Sequence, residues 1–518
     1  MIRSPGRRWW ALGALVLSLL TIGFDATILN VALPTLATAL HAGTGGLQWM
    51  VDAYVLVFAG LLLPMGALGD RHGRKRLLIV GLALFGGASV VATYAGSTGQ
   101  LIAARALMGL AAAVLTPISL AILPAIFPPA ERAKAIAFAA IGMGVGVPLG
   151  PIVGGYLLGH FWWGSVFLVN VPVVVLALVA VAALVPESRD PAPRGADVLG
   201  AVLSTAGLVA FVYGVIEAPA RGWGDLIVLG AIAAGLALLA GFVAWEVRAP
   251  APMIDLALFG RPRFLWGSVA ATLASFALFG LLFVLPQYLQ AVRGHDALGT
   301  GVRLMPLMAG LIVGARASER ISARAGVRAP VAAGLALIGA GLALGAATQA
   351  GSGYGFAATW LLLVGAGTGL TLAPAMEAVL GELPAERAGS GVALTMALRQ
   401  VGGALGVALL GSLLAGAYAG RLDLTGLPAP LAEAAQDSVA GGVAVARELS
   451  DAALLTSVHT AYIHAMDVVL LASAAVAVAG AVLAALLLPA RPAGLSAPVE
   501  PWPSEPSARR EPAGRITA

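Results

Sequence analysis

Mainly apolar stretches recur fourteen times along the chain, near residues 9–33, 48–68, 77–95, 101–122, 135–158, 166–185, 198–217, 225–246, 264–289, 301–316, 329–348, 355–380, 390–419 and 460–488. About 20 such residues in a helix cross the roughly 30 Å of bilayer hydrocarbon. The pattern predicts an all-α membrane protein of fourteen transmembrane helices. Composition points the same way: 59% of residues are hydrophobic and 11% charged, with a mean hydropathy of +0.94. A soluble domain carries about 25% charged residues, so the polar surface needed to face water is missing. The 67 glycines and 31 prolines suit membrane helices, where small residues let backbones approach closely.

Basic residues set the expected orientation, because Lys and Arg collect on the cytoplasmic side. With the N-terminus inside, 22 of the 30 Lys and Arg fall in cytoplasmic segments. Four fall outside (Arg221, Arg293, Arg421, Arg447) and four within spans (Arg105, Arg303, Arg316, Arg399). Both termini are therefore expected in the cytoplasm, with the chain multi-pass in the cell (inner) membrane. Arg3, Arg7 and Arg8 precede an apolar run that continues without a soluble domain, which reads as a first membrane helix rather than a signal peptide.

Several functions are disfavoured. The basic residues form no aromatic-interleaved patch, so no nucleic-acid partner is expected. The chain has no cysteine, and its six histidines are scattered, which leaves no recognisable metal site. The two lysines, Lys75 and Lys134, lack the Gly-Lys-Ser/Thr context of a phosphate-binding loop. No convergent catalytic set or filter loop marks an enzyme or a channel, and no cofactor is implied.

The sharpest local signal follows the second span: Gly66-Ala-Leu-Gly-Asp70-Arg71-His-Gly73-Arg74-Lys75-Arg76. Glycine permits the tight turn, the bases anchor it at the inner surface, and Asp70 is placed to face a helix N-terminus across the interface between halves. A weaker echo, Arg324-Ala-Gly326-Val-Arg328, follows the tenth span. Repetition of this kind points to a transporter built from repeats. It divides the chain into a six-helix half over 1–190, two inserted helices over 191–260, a second half over 261–490, and a Pro-, Ser- and Arg-rich tail over 491–518 expected to be disordered. The polar, alanine-rich outer segment near 420–459 is expected to hold short helices.

Ionisable groups inside a span are costly and so mark function. The first span ends Asp25-Ala-Thr27-Ile-Leu-Asn30-Val-Ala-Leu-Pro34, the second begins Gln48-Trp49-Met-Val-Asp52-Ala-Tyr54, and the fourth holds Arg105 close to its outer start. At 1.5 Å per residue, Asp25 lies about 24 Å from Trp9 along the helix, which puts Asp25, Asp52 and Arg105 at a shared depth. Facing one cavity, they would form a site where Arg105 favours the ionised acids while a proton or cationic substrate competes for them. The alternative is a fixed ion pair that only joins helices. In the second half, Glu377 follows Pro374 as another candidate acid or an interfacial residue. Arg399 and Gln400 sit near mid-depth as cavity lining or as partners for backbone carbonyls, and Asp467 reads as structural.

The loop around Asp70 resembles the signature loop of the major facilitator superfamily, and Arg105-Ala-Leu-Met108-Gly109 resembles its intramembrane arginine motif, with Met108 where Gln is usual. Gly142-Met-Gly144-Val-Gly146-Val-Pro148-Leu-Gly150-Pro151-Ile-Val-Gly154-Gly155 is similar to the antiporter motif of exporters. Trp163-Gly-Ser-Val-Phe167-Leu-Val-Asn170-Val-Pro172, Leu285-Pro286-Gln287-Tyr288 and Arg399-Gln400-Val-Gly402-Gly403 are similar to the fourteen-helix drug:proton antiporters, although Gly164 and Ser165 replace the usual Arg and Trp. The resemblance spans Asp25 to about Ala408. It implies the major facilitator fold and export of lipophilic, often cationic small molecules in exchange for protons, with no enzyme activity, by a monomer. Proton coupling is then expected of Asp25, Asp52, Arg105 and Glu377, and substrate contact of Asp25, Tyr54, Arg105, Tyr288, Arg399 and Gln400. Conformational roles fall to Gly66, Asp70, Arg71, Gly73, Arg74, Gly146, Pro148, Gly150, Pro151, Gly154 and Gly155. A dedicated exporter of one endogenous metabolite, antibiotic or lipid fits the same residues.

Overall fold

The structure is a computed structural model that describes residues 5–189, 197–249, 252–254, 256–349, 351–383 and 388–490. Side chains are not described at 5, 129, 130, 133, 136, 137, 140, 141, 143, 148 and 388–390. The expected tail and the stretch 190–196 thus lie outside the described residues, as does the Pro148 side chain. Lipid offers the backbone no hydrogen-bond partner, and a helix satisfies its own groups within one segment. Thirteen helices among the described residues are long and apolar enough to cross a bilayer, and the helix Pro129–His160 covers the fifth expected span.

In chain order these are α1 Pro5–Ala39, α2 Thr44–His72, α3 Arg74–Thr93, α4 Thr98–Ala121, α5 Pro129–His160 and α6 Ser165–Leu184. The inserted pair is α7 Val198–Arg221 and α8 Leu226–Glu246. The second half is α9 Pro262–Gln287, α10 Ala297–Ala325, α11 Arg328–Gly345, α12 Tyr354–Leu380, α13 Ala388–Ala419 and α14 Ala452–Leu487. Ser and Asp caps start several of them: Ser97 accepts from Gln100 N, Asp225 from Ile227 N, and Asp451 from Ala453 N. The face where α1 begins is here the basal face; by alternation α14 ends there, and the opposite face is distal.

Two expected boundaries move by two helical turns or more. Helix α10 runs on to Ala325 rather than stopping near 316, because its last turns carry Arg316, Glu319, Arg320 and Arg324 and can leave the apolar layer as helix. Helix α14 starts at Ala452 rather than near 460, since Thr456, Ser457 and His459 extend it beyond the apolar run. The segment between α13 and α14 holds two short helices, Ala429–Asp437 and Val439–Glu448.

The echo between the halves is a structural repeat. Gly73 has φ +110° and Gly326 φ +73°, a region that L side chains rarely adopt, and each opens a basal turn. Directly after Gly73, Arg74 N donates to Ser188 O, just past α6. Directly after Gly326, Val327 N donates to Ala490 O, just past α14. The same turn is therefore tied to the end of the sixth helix in both halves.

Close packing of α5 explains its glycines. A Cβ at Gly146 would meet Leu20 O at 2.6 Å and Phe24 N at 2.7 Å, and one at Gly150 would meet Ile28 N at 2.8 Å, all backbone of α1. Gly154 meets Ile28 as well, whereas Gly155 turns to the other half, with its Cβ position 2.6 Å from Ala297 O. In return Gly301 of α10 lies against the carbonyl of Pro151. Without a hydrophobic drive between helices in lipid, this van der Waals contact holds them together. Helix α7 packs on both α2 and α13, so the inserted pair rests on the seam between the halves, and α8 packs on α7.

Gly150→Leu should separate α1 from α5 at a cost of at least about 1–3 kcal/mol, the usual range for overpacking. We expect lower thermal stability and a slower transport cycle with substrate affinity less affected. Equilibrium binding and turnover measured on the same variant check this, and lost binding with normal turnover would contradict it.

Candidate functional site

Helix α1 carries Asp25 and α4 carries Arg105 into the interior of the first half, where they are 0% and 2% exposed. Arg105 Nη1 lies 2.5 Å from Asp25 Oδ2. The other carboxylate oxygen accepts from Asn170 Nδ2 of α6 at 3.3 Å. Arg105 Nε donates to Met50 O of α2 at 3.0 Å, and the guanidinium sits 4.3 Å from the centre of the Tyr54 ring. Helix α4 comes this near because Gly109, one turn on, lets its backbone press on Tyr54, with a Cβ position 3.0 Å from Tyr54 Cα. Four helices thus converge on one charge pair. With Met108 where the family has Gln, the Met50 carbonyl supplies a neutral acceptor for the arginine.

A narrow cavity borders this network, lined by Asn30, Val51, Tyr54 and Arg105 of the first half and by Phe279 and Gln400 of the second. Its free space admits little more than a water-sized body, so a drug-sized ligand needs the halves to move apart. Among the described residues their side-chain hydrogen bonds lie at the distal side, while Leu63 of α2 packs nearer the basal side on the cluster of Phe264, Val379 and Leu394. Gln48 Nε2 donates to Val407 O at 3.0 Å and Ala408 O at 2.9 Å, and Gln290 Nε2 donates to Val31 O at 2.8 Å. Thr44 Oγ1 donates to Asp437 O at 2.9 Å, which brings the short distal helices onto the start of α2.

Asp25, Tyr54, Arg105 and Gln400 are therefore brought to one place, and other expected members are not. Asp52 is fully buried but lies on the side of α2 away from Arg105, and neither carboxylate oxygen has a hydrogen-bond partner among the described residues. Equal depth did not put it in the same cavity, because two residues along a helix turn the side chain by about 200°. Arg399 points into the second half, where Nε donates to Ser275 Oγ at 3.3 Å. Tyr288 is buried in a π-helical turn at the distal end of α9, away from the cavity lining. Glu377 is exposed near the basal end of α12.

At the basal turn, Asp70 is paired with Arg74, with Nη2 to Oδ1 at 2.7 Å. The start of α13, where a cross-half partner for Asp70 would be sought, falls on undescribed side chains. Gly66 packs on Pro117, and Arg71 is exposed. Sequence reasoning gave no role to Glu187, whose Oε1 accepts from Lys75 N at 3.1 Å and whose Oε2 lies 3.7 Å from Arg76 Nε. An acid just past the sixth span, opposite a basic turn, was the available signal. Asn170 and Gln48 were likewise visible only as polar residues within apolar spans.

Residues 15–407 match the profile of the Major Facilitator Superfamily. The chain is 36% identical over 411 residues to the tetracenomycin C resistance and export protein of Streptomyces glaucescens, covering 79% of this chain and 76% of that one. It is 35% identical over 470 residues to the multidrug efflux pump LfrA of Mycolicibacterium smegmatis, covering 89% and 92%. In fold it is similar to a bacterial homologue of the human lysosomal transporter Spinster, with a TM-score of 0.68 at 18% identity over 93% of this chain and 98% of that one. Membrane-length apolar helices in two repeated halves, a buried charge pair beside a cavity between them, and this likeness over most of the chain place the protein in the major facilitator superfamily, as a multi-pass membrane transporter.

Proposed function

We propose that the chain exports lipophilic small molecules, cations among them, across the cell (inner) membrane in exchange for protons, with the basal face and both termini in the cytoplasm. The reading rests on one observation above others: the Asp25–Arg105 pair is buried at the edge of a cavity shared by the halves. A charge there is tolerated while its partner is present, and removing one partner typically costs about 3–5 kcal/mol. A proton on Asp25 neutralises the acid and releases Arg105 Nη1 from it, leaving the guanidinium held by Met50 O and the Tyr54 ring alone, which gives the pair two arrangements. A ligand that favours one arrangement shifts the halves toward it. Names of relatives that export tetracenomycin C or many drugs support the substrate class. The first of these names also supports a second reading, export of one endogenous product; a panel of dyes and antibiotics separates the two.

Both walls of the cavity come from the two halves of one chain, and we take a monomer as the transport unit. Asp70 and Glu187 hold the basal turn through Arg74, Lys75 and Arg76 and keep α2 and α3 moving as one body. The carboxyl of Glu377 lies outside the pair and serves as a second acid only if the halves open toward it.

Asp25→Asn should reduce pH-gradient-driven dye efflux by about tenfold or more, equivalent to about 1.4 kcal/mol or more of lost coupling, while downhill exchange of dye persists. Arg105→Ala should be as inactive, and the double variant no worse than either single one, since neighbours sharing one function are not additive. Efflux assays in vesicles, with and without a protonophore, read all three, and full proton-driven efflux in both single variants would sink the role. Asp70→Asn should lower transport severalfold at normal membrane insertion; wild-type transport would remove that residue from the mechanism.

A further inference from the structure

Asp52 sits where three helices meet. Residues three, four, seven and eight apart share a helix face, and four of those that share a face with Asp52 contact α7 or α13. Gly45 lies against Ile216 of α7, and Trp49 lies 6.2 Å from Tyr213 of α7, ring to ring. Gly60 is pressed on Thr205 of α7, and Gln48 reaches the Val407 and Ala408 carbonyls of α13. Helices α7 and α13 touch each other as well, through Ser412 Oγ donating to Val215 O at 2.7 Å. Asp52 therefore lies in the distal seam between the first half, the second half and the inserted pair, fully buried and with both oxygens unpartnered among the described residues.

Charged groups on the surrounding helices are engaged elsewhere. Arg105 of α4 and Asp25 of α1 hold each other, Arg399 of α13 bonds Ser275, and Glu217 of α7 pairs with Arg221 at the distal end. Tyr213 lies tilted beside Trp49, and the bases of α3 are in its basal first turn. An ionised carboxylate in such a site is uncompensated and expensive, whereas the neutral acid is tolerable.

We propose that Asp52 is a proton-operated seal of the distal seam. With the proton bound, α2, α7 and α13 pack as observed; without it, the carboxylate requires water, and the seam opens on the distal side. The proton comes from bulk water on that side and returns there, so Asp52 sets when the distal side opens, while Asp25 carries the exchanged proton. The inference rests on the alternating-access reading but not on the role given to Asp25. It also assigns work to the inserted helices, since α7 forms one wall of the seal.

The chain has no cysteine, which suits a labelling test on the full-length protein. Ala404 is fully buried on α13, one turn basal of Ala408, as Asp52 is one turn basal of Gln48. Ala404→Cys is exposed to a membrane-impermeant maleimide in proteoliposomes across a range of distal pH, in the Asp52 and Asp52→Asn backgrounds. The thiol's own titration is common to both. In the Asp52 background, labelling should gain an additional rise approaching about tenfold per pH unit, the slope of a single proton, and Asp52→Asn should remove it. Equal pH slopes in the two backgrounds would overturn the proposal. Should Asp52→Asn fail to accumulate, Asp52→Glu carries the test: a moved midpoint supports the seal, and an identical curve rejects it. Asp25→Asn should keep the additional rise. A chain with no proton-driven efflux but with that rise intact would contradict the transport reading alone.

Discussion

A carboxylate and a guanidinium inside hydrocarbon each need a partner, and Asp25 and Arg105 meet that need across α1 and α4. Their remaining hydrogen-bonding capacity recruits Asn170 from α6 and the Met50 carbonyl from α2. Four helices of the first half are held in register by one charge pair, and the cavity wall contributed by Tyr54 follows from the cation resting on its ring. Any change in the charge of Asp25 is felt by all four helices. The second half reaches the same cavity with Phe279 and Gln400, so the pair's state is available to both halves.

Helix α2 is the element on which the two ionisable sites differ. One side presents Met50 and Tyr54 to Arg105, and the other presents Gln48 and Asp52 to α13 and α7. A bonded amide and an unbonded carboxyl one turn apart make that second side a closed but conditional contact. Elsewhere the closeness of helices is fixed by small residues, as where Gly155 and Gly301 bring α5 and α10 together distally. Such contacts depend on shape and not on charge, so they can part and re-form without a desolvation penalty. The basal turns at Gly73 and Gly326 keep each half intact while this happens, because each is tied to the end of its own sixth helix.

The fold was largely legible in the sequence because hydropathy reports directly on the solvent. The repeat was legible because a positive-φ glycine at Gly73 and Gly326 leaves a residue signature. The Asp25–Arg105 pair could be read from depth along the helices. Rotation about the helix axis could not, and it is rotation that sends Asp52 to the seam and Arg399 to Ser275. Glu187 and Asn170 escaped for another reason: each acts across more than 100 residues of chain, on Lys75 and on Asp25, and local sequence does not say which distant residue it meets.

If Asp25 gives up a proton as substrate binds, the exchange is visible without a membrane. Purified protein in weakly buffered detergent solution, titrated with a transported cationic dye, should release protons in proportion to dye bound, and Asp25→Asn should bind dye without that release. Dye binding with no proton released by the unaltered chain, or equal release from Asp25→Asn, would contradict exchange at the Asp25–Arg105 pair.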